Sequence, residues 1–408
     1  MAMAETRIST FRVLRHRDFR LLWCGLVVSA VGTWMQIVAQ ALLVLDLSHG
    51  SALALGLVSL AQAGAFLVFA LFGGALADRV DKRRLLIVTQ TVCLAFATLL
   101  GVLTARHLIA VWMVVILAFL QGAALSFDQP ARAALVPELV PAEELFNAVS
   151  LQSIVFTGAS TLGPALAGFG LATIGYAGNF FANAVSYLGV IGALLAMRTR
   201  GVVAGGPLRT ANPRAIREAL STVRADAVLP ALIGVFAALL FFGPSTTVLV
   251  PIMGTQVLHL DPERIGILFS ASGVGAVAGG LGLASLHDPP HKARIVLAAA
   301  CLWAAALIGF AASRSFLGAA FALLLVGMFQ LTVSATTITL LQTRVPPHMR
   351  GRVMSLNTLL IMGIRPLGDF PAAAVIAGIG APLTAIASAV LVALIAAGVA
   401  LRPSVRDA

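Results

Sequence analysis

GALADRVDKRR, residues 74–84, places one glycine, two aspartates and four bases between two long stretches, 52–77 and 85–104, that carry no charged residue. A helix needs roughly 20 apolar residues, rising 1.5 Å each, to cross about 30 Å of hydrocarbon. Both flanking stretches meet that length, so the charged eleven-residue segment is a short loop between two membrane spans. Its four bases also say which side it lies on, because Lys and Arg collect in cytoplasmic loops.

The same alternation repeats in both directions. Apolar runs bounded by charges or by Gly and Pro predict helices at 19–45, 52–77, 85–104, 109–133, 143–170, 177–198, 228–257, 263–286, 293–312, 316–342, 351–377 and 380–401. With the N-terminus inside, 23 of the 27 Lys and Arg fall in cytoplasmic segments. The external loops hold only Arg106, Arg264 and Arg314, while Arg365 is intramembrane, so both termini are expected in the cytoplasm. The stretch 199–227 is the one long polar segment, with GG at 205–206, Pro207 and Pro213, and it predicts a linker between two six-helix halves. Residues about 210 apart match across those halves: Asp78 with Asp288, Lys82 with Lys292, Arg84 with Arg294. A register of 205 aligns Ser150-Leu151 with Ser355-Leu356 and Gly163 with Gly368. A parallel duplication implies a central cavity between two halves that rock in alternating access. The expected organisation is an N-terminal arm at 1–18, a first bundle at 19–198, the linker, a second bundle at 228–401 and a tail at 402–408.

Composition excludes other classes. The chain of 408 residues is 60% hydrophobic and 11% charged, with a mean hydropathy of +1.00, so water is not its main solvent. Its net charge of +11 punctuates apolar runs instead of gathering on one folded face, which argues against nucleic-acid binding. Cys24, Cys93 and Cys301 lie far apart inside apolar stretches and read as small hydrophobes, with neither disulfide nor metal implied. Five arginines precede a first apolar run too long for a signal peptide, so no segment is expected to be removed. The seven histidines fall in loops or helix ends, and no HExxH, nucleophile-base set or phosphate-binding glycine loop is present. A membrane-embedded enzyme is therefore the remote alternative, and no cofactor is expected.

The loop 74–84 resembles the signature of the major facilitator superfamily, G-x-L-A-D-R-x-G-R-K, with Asp81 in place of the usual glycine and Lys82 in place of the usual arginine. The resemblance implies an all-α membrane protein with twelve transmembrane helices in two pseudo-symmetric six-helix bundles. It further implies that Gly74, Asp78, Arg79, Lys82 and Arg83 form a gating loop. Asp78 would reach the start of helix 11 near Arg350 to Arg352, and a loop base would pair with an acid at the foot of helix 4, where Asp128 stands. The plainer reading is that these bases only set topology.

ASTLGPALAG, 159–168, is similar to the superfamily's antiporter signature at Gly163, Pro164 and Gly168, with Ala159 and Ala167 in place of glycines. It implies export, and ordinary small-residue packing is the alternative. RAALVPELVPAEELFNAVSLQS at 132–153 and VPPHMRGRVMSLNTLL at 345–360 resemble the branch of enterobactin-type exporters and macrolide-efflux-like proteins. By the same resemblance helices 1, 4, 7 and 10 line a cavity. Helix 1 carries a polar stripe of Ser29, Thr33, Gln36 and Gln40 at spacings of four, three and four. Gln121, Ser245 to Thr247, Gln330, Thr336 and Thr337 are the polar candidates on the other three, beside Phe127, Phe241, Phe242 and Phe329. Helix-to-helix hydrogen bonding is the competing explanation for these groups.

Arg365 and Asp369 are the two deep ionisable residues, roughly 20 and 25 Å along helix 11 from Arg352. Their i, i+4 spacing allows a mutual ion pair across Pro366. Either the pair neutralises itself at a helix bend, or protonation of Asp369 couples proton entry to movement of a substrate. The expectation is a monomeric secondary transporter of the bacterial inner membrane. Its partners are a small amphipathic molecule (siderophore-, drug- or macrolide-like), protons and membrane lipids. A lipid flippase and an importer of the same fold are the alternatives.

Overall fold

A computed structural model describes residues 9–77, 79–199, 213–286, 291–346, 349–402 and 405. The described residues form helices and no strand. After a 3-10 turn at Ser9–Arg15 come α1 (Arg17–Leu47), α2 (Ala52–Ala77), α3 (Lys82–Ala105) and α4 (Val111–Leu139). The stretch Leu145–Ala196 is helical except at Gly175, where φ is 68° and ψ −171°. That backbone is open only to glycine, so one residue ends α5 (145–174) and begins α6 (176–196). The sequence suggests a six-residue gap there, from 171 to 176. Asn179, fully buried, donates its Nδ2 to the Gly175 carbonyl at 2.9 Å, a side-chain bond made at the break itself.

In the second half α7 (Pro213–Ala225) precedes α8 (Leu229–Phe242), which stops at Gly243 and Pro244 before α9 (Thr246–Ile252) resumes and runs into a π turn at Met253–Val257. One expected span, 228–257, is thus a broken helix. Then come α10 (Pro262–Ser285), α11 (Lys292–Ala312) and α12 (Phe316–Arg344). Next is α13, made of Arg350–Leu359, a π turn at Leu360–Ile364 and Arg365–Ile379, and last is α14 (Ala381–Ala400). Among the described residues ten stretches are long and apolar enough to cross a membrane. One of them, Ala142–Ala196, has 55 residues and contains the Gly175 break, and the interrupted α13 contributes the shorter apolar helix Leu367–Ile379. The twelve expected spans are accommodated in this way.

Two compact units divide the chain: Met1–Gln40 with Gly64–Thr210, and Ala41–Ala63 with Ala211–Ala408. In the first, Phe19, Leu22, Leu86, Leu135, Leu151 and Leu194 are each about 1% exposed or less and form one apolar cluster from α1, α3, α4, α5 and α6. Gly163 of α5 lies so close to α1 that a Cβ there would stand 2.5 Å from Trp34 Cβ. In the second, Gly368 of α13 lies against α8, where a Cβ would run into the Phe241 carbonyl oxygen. Gly163 and Gly368 are the pair that the 205-residue register aligns, and Trp34 and Phe241 are 207 apart. The duplication is visible as the same close helix approach made once in each unit.

The hairpin 41–63 groups with the second unit through equally close packing. A Cβ on Gly56 would stand 2.6 Å from Ala373 Cβ of α13, and Gln256 Nε2 donates to the Gly50 carbonyl at 2.6 Å.

Candidate functional site

In the charged loop, Asp81 is the N-cap of α3. Its carboxylate accepts from the backbone N–H groups of Arg83 at 2.9 Å and Arg84 at 3.2 Å, satisfying donors that a helix start leaves unpaired. That accounts for an aspartate where the family signature carries glycine. Lys82, 4% exposed, pairs with Glu138 near the end of α4 at 2.8 Å. Arg83 donates through Nη2 to the Leu195 carbonyl at the end of α6 at 2.9 Å, a cation on a helix C-terminus. Arg79 is exposed. Asp78 lies outside the described residues. Among the described residues a Cβ on Gly74 would meet nothing within 4 Å, whereas one on Gly73 would run into the Ser126 carbonyl of α4. Pro130 cannot donate to that carbonyl, so the close approach falls to Gly73.

Asp128 differs from the expectation. It is 2% exposed, and no loop base reaches it among the described residues. Its Oδ2 accepts from Arg132 Nη2 at 2.7 Å and Nε at 3.2 Å, and its Oδ1 from Gln90 Nε2 at 2.7 Å and Thr89 Oγ1 at 2.9 Å. Ten residues, about 15 Å of helix, separate it from Glu138, the acid that Lys82 meets. The loop base and the α4 acid do pair, but the acid is Glu138, one that a motif-based reading passes over.

The polar stripe of α1 is mostly internal to the bundle. Gln36 Nε2 donates to Gln121 Oε1 of α4 at 3.0 Å, and Asn183 Nδ2 of α6 donates to Gln36 Oε1 at 2.6 Å. Tyr187 Oη closes the group, 3.5 Å from Gln121 Nε2 and 3.4 Å from Asn183 Nδ2. Gln36, Gln121, Asn183 and Tyr187 are all 6% exposed or less. Thr33 Oγ1 donates to the Ser29 carbonyl at 2.8 Å, and Gln40 is 9% exposed. Gln36 and Gln121 therefore fasten three helices together instead of presenting free amides, and Asn183 and Tyr187 gave no signal in the sequence. Gln36→Leu is expected to cost about 1–2 kcal/mol, because it leaves Asn183 and Gln121 with unpaired buried groups. Thermal unfolding of purified protein measures this, and a loss below a few tenths would show that the cluster is loose.

Phe127 joins Phe69 and Phe119 in the first unit, with centroids 6.4 Å and 6.3 Å from Phe69. Phe241 and Phe242, each 36% exposed, stack edge-to-face at 5.1 Å where α8 ends.

That end matters for Asp369. Pro244 interrupts the helix, and the Ser245 N–H is free to donate to Asp369 Oδ1 at 3.1 Å. Ser59 Oγ of α2 donates to Asp369 Oδ2 at 2.9 Å, and the carboxylate is 3% exposed. One turn earlier, Arg365 faces α12. With its amide oxygen toward the guanidinium, Gln330 accepts from Arg365 Nη1 at 3.0 Å and Nη2 at 2.6 Å. The i, i+4 ion pair is not formed: both residues lie in one regular helical stretch, Arg365–Ile379, and each finds its partners on other helices. Thr337 is 1% exposed.

Gly163, Pro164 and Gly168 are all buried, and α5 continues through Pro164. The equivalent close approach at Gly368 occurs outside any exporter motif, so packing suffices to explain Gly163.

The sequence pattern of the transmembrane secretion effector family matches residues 8–407. Macrolide efflux protein A of Streptococcus pyogenes is 26% identical over 370 residues, covering 86% of this chain and 87% of the relative. Enterobactin exporter EntS of Citrobacter koseri is 26% identical over 379 residues, covering 92% and 88%. A solved bacterial homologue of the human lysosomal transporter Spinster, inward-facing and occupied, superposes with a TM-score of 0.74 at 14% identity over 97% of both chains.

Proposed function

The chain belongs to the transmembrane secretion effector family, whose members are transporters of the major facilitator fold, and we propose that it exports a small amphipathic molecule in exchange for protons. Alternating access between two six-helix halves, 19–198 and 228–401 joined by 199–227, is the proposed motion, in a bacterial inner membrane with both termini inside. Export is supported by the names of the relatives, an efflux protein and an exporter, and the orientation by the distribution of bases.

The observation that carries proton coupling is the position of Asp369. A buried carboxylate holds the hydroxyl of α2 and the N–H freed at the α8–α9 break together. Hydrogen bonds to a charged group contribute about 1.5–3 kcal/mol each. Ionised, Asp369 clamps α2 and the break onto α13; protonated, it loses the charge that strengthens both bonds and becomes a donor needing another acceptor. A change of one such bond shifts a two-state equilibrium by roughly ten- to a hundredfold. Arg365 is the charged group nearest along the helix, and its guanidinium is held by Gln330. The loop Gly74 to Arg84, with Lys82 on Glu138, would act as the gating element on the cytoplasmic side.

Proteoliposomes loaded with a radiolabelled macrolide or with iron-free enterobactin, under an imposed pH gradient, test the reading. Wild-type transport of one of them is expected to accelerate with the gradient and to carry protons the other way. Asp369→Asn is expected to lose at least tenfold of that acceleration while keeping exchange at equal pH. Gradient-driven transport unaltered in the variant would remove proton coupling through Asp369, and substrate moving only inward would make this an importer.

A further inference from the structure

Arg365 presents five N–H donors, and the described residues engage two of its nitrogens through one neutral oxygen, that of Gln330. Its Nε is buried without a protein partner, although the side chain as a whole keeps some exposure. The helices α12 and α13 run antiparallel with their facing residues in register. Gln330 meets Arg365 at one end, and Gln342 Nε2 lies 3.9 Å from Met354 Sδ at the other. Thr337 is two turns beyond Gln330 and shares its face, and Asn357 is three residues beyond Met354 and shares its face. The register brings Thr337 and Asn357 to one level, about 10 Å along the seam from the guanidinium. Thr337 Oγ1 and Asn357 Oδ1 are both buried with no protein hydrogen bond, at 1% and 4% residue exposure.

Buried polar atoms are almost always paired, and each one left over costs about 1–3 kcal/mol. Three of them on one inter-helix seam, beside a guanidinium whose fork rests on an amide oxygen, mark a place built for a ligand. We propose that the α12–α13 seam binds a molecule bearing a carboxylate, which takes the place of the Gln330 oxygen on Arg365, with a hydroxyl or amide group about 10 Å away meeting Thr337 and Asn357. Two parallel N–H···O bonds suit a carboxylate better than one amide oxygen, because the acceptor is charged and both of its oxygens engage. Gln330, released, offers its NH2 to the same anion. The Asp369 oxygens point to Ser59 and Ser245, and no ion pair joins them to the fork among the described residues. The inference rests on the export reading and narrows its substrate to an anionic amphiphile.

The test is equilibrium binding of 6-hydroxy-2-naphthoate and of its uncharged methyl ester to the full chain in lipid nanodiscs, with empty nanodiscs subtracted. The acid is expected to bind at least about tenfold tighter than the ester. Arg365→Gln should bring the two within about twofold, and Arg365→Lys, which keeps the charge but not the fork, should fall between. Asn357→Leu should weaken acid and ester alike by severalfold, and it carries the test if Arg365 variants do not fold. Equal or undetectable binding of the two probes overturns the proposal, as does an acid preference that persists in Arg365→Gln. Because the readout is binding, a chain that exports in proteoliposomes yet ignores probe charge loses the anion seam alone. Failure of export with charge discrimination intact loses only the export reading.

Discussion

Asp128→Leu is expected to lower the unfolding free energy by about 3–5 kcal/mol, the range for removing one partner of a buried ion pair. The carboxylate, 2% exposed, holds four hydrogen bonds from three side chains, two of them from Arg132. Without it the Arg132 guanidinium is left charged in a place where Nη1 already has no protein partner, and Thr89 and Gln90 of α3 lose the acceptor that joins them to α4. The double variant Asp128→Leu, Arg132→Met should recover most of the loss, because an apolar pair of similar volume is often no worse than a buried ion pair. Thermal and denaturant unfolding in one detergent, with both single and double variants, measures this. A single variant within about 1 kcal/mol of wild type, or a double variant worse than either single, would show that Asp128 is not an internal clamp. Such a result would reopen its role as a partner of the charged loop.

The fold was legible because membrane spans depend on length and apolarity, and both are local quantities. Even the duplication could be read, since Gly163 and Gly368 recur in register and make the same close approach in their own units. The breaks were less legible. Gly175 is one of many glycines in apolar runs, and only its positive φ distinguishes it. In GPS at 243–245 the proline signals a bend, but not that the freed N–H would meet a carboxylate 124 residues away.

The choice of partners was the least legible part. Asp128 and Glu138 are both acids on α4, and which one meets Lys82 is decided by helix rotation and depth. The i, i+4 spacing of Arg365 and Asp369 predicts a pair, yet Gln330, Ser245 and Ser59 come from other helices and take both members. The glycine that packs is Gly73, one residue before the charged loop, against a Ser126 carbonyl to which Pro130 cannot donate. The candidate cavity residues divide for the same reason. Gln36 and Gln121 are bound to each other, whereas Gln330 faces a guanidinium, and side-chain chemistry alone does not separate the two fates.

Gly327→Val is expected to cost about 3 kcal/mol or more, at or beyond the upper end for overpacking, and to reduce the amount of folded protein recovered from membranes. In hydrocarbon no hydrophobic force drives helices together, so their association relies on close backbone approach through small residues. Helices α10 and α12 make that approach several times over. A Cβ on Gly327 would run into the Ser272 carbonyl, one on Gly275 into the Leu324 carbonyl, and one on Gly279 would stand 2.5 Å from the Met328 carbonyl oxygen. Each obstacle is main chain, which no rotamer change can move aside, so the helices must separate. Gly282 of α10 is the matched control: a Cβ there meets nothing within 4 Å, and Gly282→Ala should be neutral or stabilising by up to about 1 kcal/mol through helix propensity. Unfolding midpoints of the two variants decide between local crowding and a general intolerance of glycine replacement, since equal losses would rule out the seam as the cause. Gly327 is also one turn before Gln330, so a variant that folds with α12 displaced should hold Arg365 less well. Gly327→Ala carries the same Cβ and meets the same carbonyl, so it is expected to lower stability as well, by less than Val, and to weaken the acid preference of naphthoate binding in the protein that still folds.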